Sequence, residues 1–114
     1  MKLSFEDIGA VVATCLADDE VQGGGVVAMS GSAAVGPCAD GGKFCGVAMQ
    51  PRCGIAGVQF KGFMQVKHTG ELNVGYAKLV GDGQGGVRQA ASGEEGVEVL
   101  VVCADEAGLA VICL

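Results

Sequence analysis

Aromatic side chains are scarce in this sequence, which contains one Tyr, four Phe and no Trp among 114 residues. A core without large rings must be built from Val, Ala, Leu, Ile, Met and Cys. Only two prolines are present, against 21 glycines. The glycines show no Gly-X-Y period, which excludes collagen, and their number indicates many tight turns and bulges.

Basic residues are also few: seven Lys and Arg stand against 13 Asp and Glu, for a net charge of −6. Such a surface is poorly suited to neutralising phosphates, so we expect no direct binding of nucleic acid. No apolar run reaches the roughly 18 to 20 residues that cross a bilayer, so we expect a soluble chain without a membrane partner. Residues 1–7 carry two acids where an export signal has a basic segment, and we expect no cleaved leader.

The six cysteines form no C-x-x-C pair, and His68 is the single histidine. Most of these cysteines lie in apolar runs, where a free thiol acts as a small buried hydrophobe. We therefore expect no disulfide framework, and we assign no metal and no cofactor. Cys38, Cys45 and Cys53 are nevertheless close enough in sequence to meet in space. A zinc or ligand site built from them, with His68 as a further ligand, is the alternative hypothesis.

Catalytic patterns are weak throughout the chain, and we predict that the protein is not an enzyme. Gly81, Gly83 and Gly86 match the dinucleotide-binding pattern G-x-G-x-x-G. The segment that follows is too short for the helix that a dinucleotide fold requires, so a hairpin loop is predicted. Nothing local activates a Cys–His dyad through His68. The acidic pairs fall in turn-rich polar stretches that cap loops; they are Asp18-Asp19, Glu94-Glu95 and Asp105-Glu106.

Short apolar segments separated by glycine, acid or amide clusters predict an all-β fold. We expect a single domain over residues 1–114, a small barrel or β-clip-like fold of about nine short strands with glycine-rich turns. The predicted strands cover residues 9–16, 26–30, 33–35, 43–49, 55–67 with a kink at Gly62, 76–80, 87–90, 97–103 and 109–114. Residues 7–17 also have apolar spacings of three and four, so a short helix is the alternative there.

Within these segments several details are predicted. Residues 44, 46 and 48 share one face of their strand, and Gly46 indicates a bulge or a close backbone approach. Gly62 is expected to kink the chain within the segment 55–67. Residues 97–103 are mainly continuous Val and Leu, which predicts burial on both faces, and residues 104–108 predict a hairpin turn to the last strand.

The pattern of glycines and strand hydrophobics resembles small proteins encoded in the head-gene clusters of bacteriophages and prophages, similar to head-decoration proteins. The segments that carry the resemblance are FCGV at 44–47, VQFKGFMQV at 58–66, GYAKLV at 75–80, DGQGGV at 82–87 and VEVLVV at 97–102. Upstream, GVVAM at 25–29 and VGPCA at 35–39 fit the way such proteins begin.

The resemblance implies a β-rich clip or barrel that forms trimers on the capsid lattice and strengthens it. It implies no catalytic residues. The expected partners are further copies of the chain and the major capsid protein, and the expected location is the virion, after synthesis in the bacterial cytoplasm. Open strand edges and a small core independently favour self-association, with a monomer as the alternative.

Overall fold

The computed structural model describes residues 10–105 and 107–114, and within these ranges the regular structure consists of ten strands. They are β1 Val11–Ala17, β2 Val26–Gly31, β3 Ala34–Pro37, β4 Gly46–Ala48, β5 Ile55–Lys61, β6 Phe63–Lys67, β7 Gly75–Gly81, β8 Val87–Gln89, β9 Val97–Ala104 and β10 Leu109–Cys113. No helix in these ranges is long and apolar enough to span a bilayer. The all-β prediction is confirmed.

The first five strands form a closed barrel in the order β1-β3-β2-β4-β5. Closure depends on β1, which pairs antiparallel with β5 and parallel with β3 through Leu16–Ala34 and Ala17–Val35. A closed barrel has no unpaired edge. The segment around residues 9–16 is thus a strand from Val11 onward and not a helix, while residues 7–9 of that prediction lie outside the described part of the chain.

The last five strands form a second sheet in the order β6-β10-β9-β7-β8. Its two outer strands approach each other at one end, where His68 forms a parallel bridge with Val87 and the Thr69 amide donates to the Val87 carbonyl at 2.9 Å. The predicted hairpin between β9 and β10 is confirmed.

The chain passes from the barrel to the second sheet at Gly62, between β5 and β6. Gly62 has a φ of +103°, and a Cβ there would lie 3.1 Å from the Cα of Ala10. The predicted glycine kink is therefore present. Leu114 donates its amide to the Gly62 carbonyl at 3.1 Å, which fixes the crossing against the end of β10.

Two apolar clusters form the core. The barrel cluster contains Cys15, Val21, Val27, Val35, Ala48 and Val58. The larger cluster lies under the second sheet and includes Met64, Val66, Leu79, Val99, Val101 and Ile112, together with three residues from the first half of the chain, Val26, Cys38 and Phe44. Because the first half supplies part of the core of the second sheet, the two sheets form one packed unit.

Two details of the predicted strands are corrected. The strand expected at 43–49 is only Gly46–Ala48. The Cys45 amide still binds the Val27 carbonyl of β2, but Gly41 and Gly42 before it pair with Gly81 instead of extending the ladder. β9 is not buried on both faces: Val99 and Val101 are buried, whereas Leu100 and Val102 are only half-buried and Glu98 is exposed. Among the described residues, no further layer lies over the outer face of β9.

Candidate interaction surfaces

The cysteines of the alternative metal site do not form one group: Cys38 lies near Cys45, but Cys53 and His68 do not join them. Cys38 is buried, Cys45 is half-buried, and Cys53 is exposed in a turn with a φ of +53°. In residues 10–105 and 107–114 no three His, Cys, Asp or Glu side chains form a group that could hold a metal ion. The cysteines that interact with Cys45 are Cys15 and Cys38, in the interior of the molecule.

Burial also keeps these thiols neutral. Removal from water raises the pKa of Cys38 and of Cys45 above the usual value for a thiol. The Cys38 thiol donates to the carbonyls of Gly42 at 3.4 Å and Ala39 at 3.6 Å. Since the thiolate is the form that binds metals and attacks electrophiles, these two residues are placed as core hydrophobes.

His68 is bound to the backbone on both sides of its ring. Nδ1 lies 2.9 Å from the carbonyl oxygen of Gly70, and Nε2 lies 3.0 Å from that of Asp105. A carbonyl oxygen only accepts, so a ring nitrogen takes part in such a contact only as a donor. The ring joins the loop after β6 to the β9–β10 turn, and it offers no free nitrogen for a metal or a cysteine.

The glycine-rich segment at 81–86 is the hairpin loop between β7 and β8, as predicted. Asp82 closes it: its Oδ1 accepts the amides of Gln84 at 2.7 Å and Gly86 at 3.0 Å, and its Oδ2 accepts the Thr69 hydroxyl at 2.8 Å. A Cβ at Gly86 would lie 2.6 Å from the Lys67 carbonyl oxygen. Amides that would cradle a phosphate in a dinucleotide fold are bound here by a carboxylate of the same loop.

Of the acidic pairs, Glu94 and Glu95 bind basic side chains, and Asp105 of another pair caps a turn. Glu94 forms two bonds with the Arg88 guanidinium, at 2.7 and 2.8 Å, and Arg88 also binds Asp40 at 3.0 Å. The Arg88 hydrogen bonds, followed by the Ala91 amide, lower the pKa of Glu94 to about 2. Lys43 binds Glu95 at 2.8 Å and lowers its pKa. Asp105 accepts two amides of the β9–β10 turn, and Glu106 lies outside the described residues.

A cavity of about 250 Å3 lies where the barrel meets the β7–β8 loop. Val26, Val27 and Pro37 line its apolar side, and Glu20, Gln22 and Gln84 line its polar side. The carboxylate and the two side-chain amides can form hydrogen bonds with a ligand. The lining contains no acid–base pair for catalysis and no basic residue that would bind an anion.

The first apolar surface lies on the barrel, on the outer side of β1 and β5. We call it the barrel face and define it as Val12, Leu16, Met49 and Ile55, all of which are exposed. Leu16 is directly opposite Ile55 across the two strands. Met49 covers Gly57, whose absent Cβ would lie 3.1 Å from the Met49 sulfur and 3.7 Å from Val12.

The second apolar surface crosses four strands of the other sheet. Phe63 is opposite Cys113, Cys113 is opposite Leu100, and Leu100 is opposite Tyr76. We call these four residues the sheet row. They lie on the face opposite the buried Met64, Ile112 and Val101, because successive strand residues point to opposite faces. Tyr76 is 78% exposed and Phe63 is 38% exposed.

An open strand edge adjoins the sheet row at Tyr76. β8 pairs with Leu79, Val80 and Gly81 of β7, and beyond β8 the Ala90 amide binds the Lys78 carbonyl at 2.9 Å. Among the described residues, no strand pairs with residues 75–77 on this side of β7. Since backbone groups alternate in direction along a strand, those of Tyr76 point to the same side as those of Lys78. Val74, just before the strand, is 67% exposed.

Sequence reasoning placed Tyr76 on a strand but did not identify it as a surface residue. The available signal was the alternation of Tyr76 and Lys78 with Ala77 and Leu79, which puts Tyr76 on the polar side of β7. Comparison with known proteins adds no relative, because no family model matches the sequence and no curated protein is significantly similar to it.

Proposed function

We propose that this protein is a structural component of a phage or prophage head, which decorates or stabilises the capsid as a symmetric homo-oligomer, with a trimer favoured. The observation that carries the proposal is the exposure of large hydrophobic side chains on both the barrel face and the sheet row. Contiguous apolar side chains on a protein surface mark sites of protein–protein contact. The chemistry is that of binding, and we infer no catalytic step.

Two separate apolar surfaces suit a protein that must make two kinds of contact. A decoration protein binds further copies of itself and also binds the shell beneath it. The barrel face and the sheet row belong to different sheets of the fold. One surface is therefore available for each contact. The resemblance implies further copies of the chain as the partner for one contact and the major capsid protein as the partner for the other.

The test joins solution mass to shell binding. Light scattering under reducing conditions should give a multiple of the 11.3 kDa chain mass. The same sample should co-sediment with empty shells assembled from the major capsid protein encoded nearest to it. Leu16→Lys on the barrel face should lose co-sedimentation, whereas the exposed Glu71→Gln should retain it. A monomer that does not bind shells would overturn the proposal.

The alternative function is a metal- or ligand-binding barrel based on Cys38, Cys45, Cys53 and His68. Among the residues that the structure describes, no three of these side chains form a group that could hold a metal. Metal analysis of the same purified sample tests it directly. One zinc per chain, released on unfolding, would replace the assembly proposal with the metal-binding one.

A further inference from the structure

We propose that copies of this chain associate through the sheet row and the adjoining open edge of β7, with Tyr76 at the centre of the contact. This inference rests on the proposed self-assembly and identifies the surface that performs it. The occupant is a second copy of the chain. The barrel face then remains for the shell.

The composition of β9 supports a covered outer face. Val97–Ala104 is almost continuously apolar, as in strands with protein on both sides. Within one copy only Val99 and Val101 are buried, while Leu100 on the opposite side is half-buried. A second copy laid on the sheet row would bury Leu100 and complete the environment that this composition suits.

The distribution of charge favours the sheet row over the barrel face as the surface through which copies of the chain bind each other. Two copies of a chain with net charge −6 repel each other, so their contact should avoid acids. The sheet row carries no charged side chain, and next to it Lys78 lies opposite Glu98, which balances one charge with the other. The barrel face ends at Leu16, and residues 18–20 are three consecutive acids. Arg52, in the turn before β5, offsets only part of that charge.

The backbone at Tyr76 gives the second copy a further means of attachment. Tyr76 belongs both to the sheet row and to the open part of β7, so one contact covers both features. A Cβ built on the neighbouring Gly75 would meet no atom within 4 Å, so among the described residues the sheet surface next to Tyr76 is open. Strand edges with unpaired N–H and C=O groups bind other edges in this way.

The experiment compares Tyr76→Lys with Leu16→Lys, because both side chains are more than half exposed and lie on the two competing surfaces. Light scattering is measured over a range of protein concentrations, and circular dichroism verifies that each variant keeps the wild-type fold. Tyr76→Lys should raise the dissociation constant at least tenfold, whereas Leu16→Lys should leave it unchanged. Tyr76→Ser is the second variant, for use if the lysine prevents folding, and Tyr76→Phe should associate as the wild type does.

The outcomes separate this inference from the proposed function. If wild-type protein assembles, and Leu16→Lys dissociates it while Tyr76→Lys and Tyr76→Ser do not, the assigned surface is wrong and the assembly proposal stands. If the wild type is a monomer of 11.3 kDa at every concentration, the proposed self-assembly fails and this inference fails with it.

Discussion

Arg88 holds three segments of the chain together through its guanidinium. It binds Glu94, six residues further along the chain, and Asp40, which is 48 residues earlier. Its side chain and that of Glu94 are each about one quarter exposed, so the pair is shielded in part from water. Two parallel bonds between a guanidinium and a carboxylate are among the stronger polar contacts in proteins.

Glu94→Gln should destabilise the protein at pH 7, and the difference from wild type should shrink in acid. The pKa of Glu94 is lowered from 4.5 to about 2, so its charged form stabilises the fold fully above pH 4.5 and loses this effect as the pH falls toward 2. Thermal unfolding of both proteins between pH 7 and pH 3 measures the trend. Arg88→Lys, which keeps the charge but loses the paired geometry, should also be less stable at pH 7. A Glu94→Gln difference that is constant with pH would contradict the assignment.

At the scale of elements, β4 and β5 approach so closely that only glycine fits at the start of β4. A Cβ on Gly46 would overlap the carbonyl oxygen of Gln59 and lie 3.1 Å from the Val58 side chain. The oxygen belongs to the backbone of the neighbouring strand, so it cannot turn away as a flexible side chain would. The close approach that the sequence indicated at Gly46 is thus one of the contacts that close the barrel.

Gly46→Ala should therefore separate β4 from β5 and lower the free energy of unfolding by about 2 kcal/mol or more. Gly31→Ala is the matched control, because its Cβ would lie 3.9 Å from the nearest atom and its φ is not positive. That control should change stability by no more than about 0.5 kcal/mol. Urea unfolding of the two variants measures both values, and equal losses would show that Gly46 does not limit the strand spacing.

Most elements could be predicted from the sequence because alternation and glycine clusters act locally. The paired faces of β5 and β6 and the hairpin turns are of this kind. The parallel pairing of β1 with β3 was not predictable, since a parallel partner leaves no local turn signal. The ion pair of Asp40 with Arg88 was not predictable either, because the two residues are 48 positions apart in the sequence. The error at β9 has a different cause. A continuous apolar run predicts burial on both faces of a strand, but the sequence does not show what covers each face.

The whole molecule combines a net charge of −6 with apolar surfaces, and these act in opposite directions on association. Long-range repulsion between copies depends on salt, whereas burial of the sheet row does so only weakly. The candidate surfaces could be predicted from the sequence only in part, because they depend on which strands pair and in which register. Sequence indicated open edges and a small core, but the four residues of the sheet row come from four strands whose register only the fold defines.

Added salt should therefore tighten self-association. Raising sodium chloride from about 0.01 M to about 0.1 M shortens the Debye length from about 30 Å to about 10 Å, which screens the repulsion between copies. Sedimentation at both concentrations should show a severalfold lower dissociation constant at the higher salt. Tyr76→Lys should remain dissociated in both buffers. Weaker association with added salt would mean that ion pairs, and not the sheet row, hold the copies together.

The crossing at Gly62 divides the chain into two nearly equal parts, one for each sheet. The second part is not complete without the first, because Val26, Cys38 and Phe44 from the first part fill the cluster under the second sheet. A chain cut at this glycine should give a first fragment that holds its own barrel cluster and a second fragment that lacks part of its interior until the two meet. Joined to two separate proteins, the second fragment should complete its core only when its carrier is brought to that of the first.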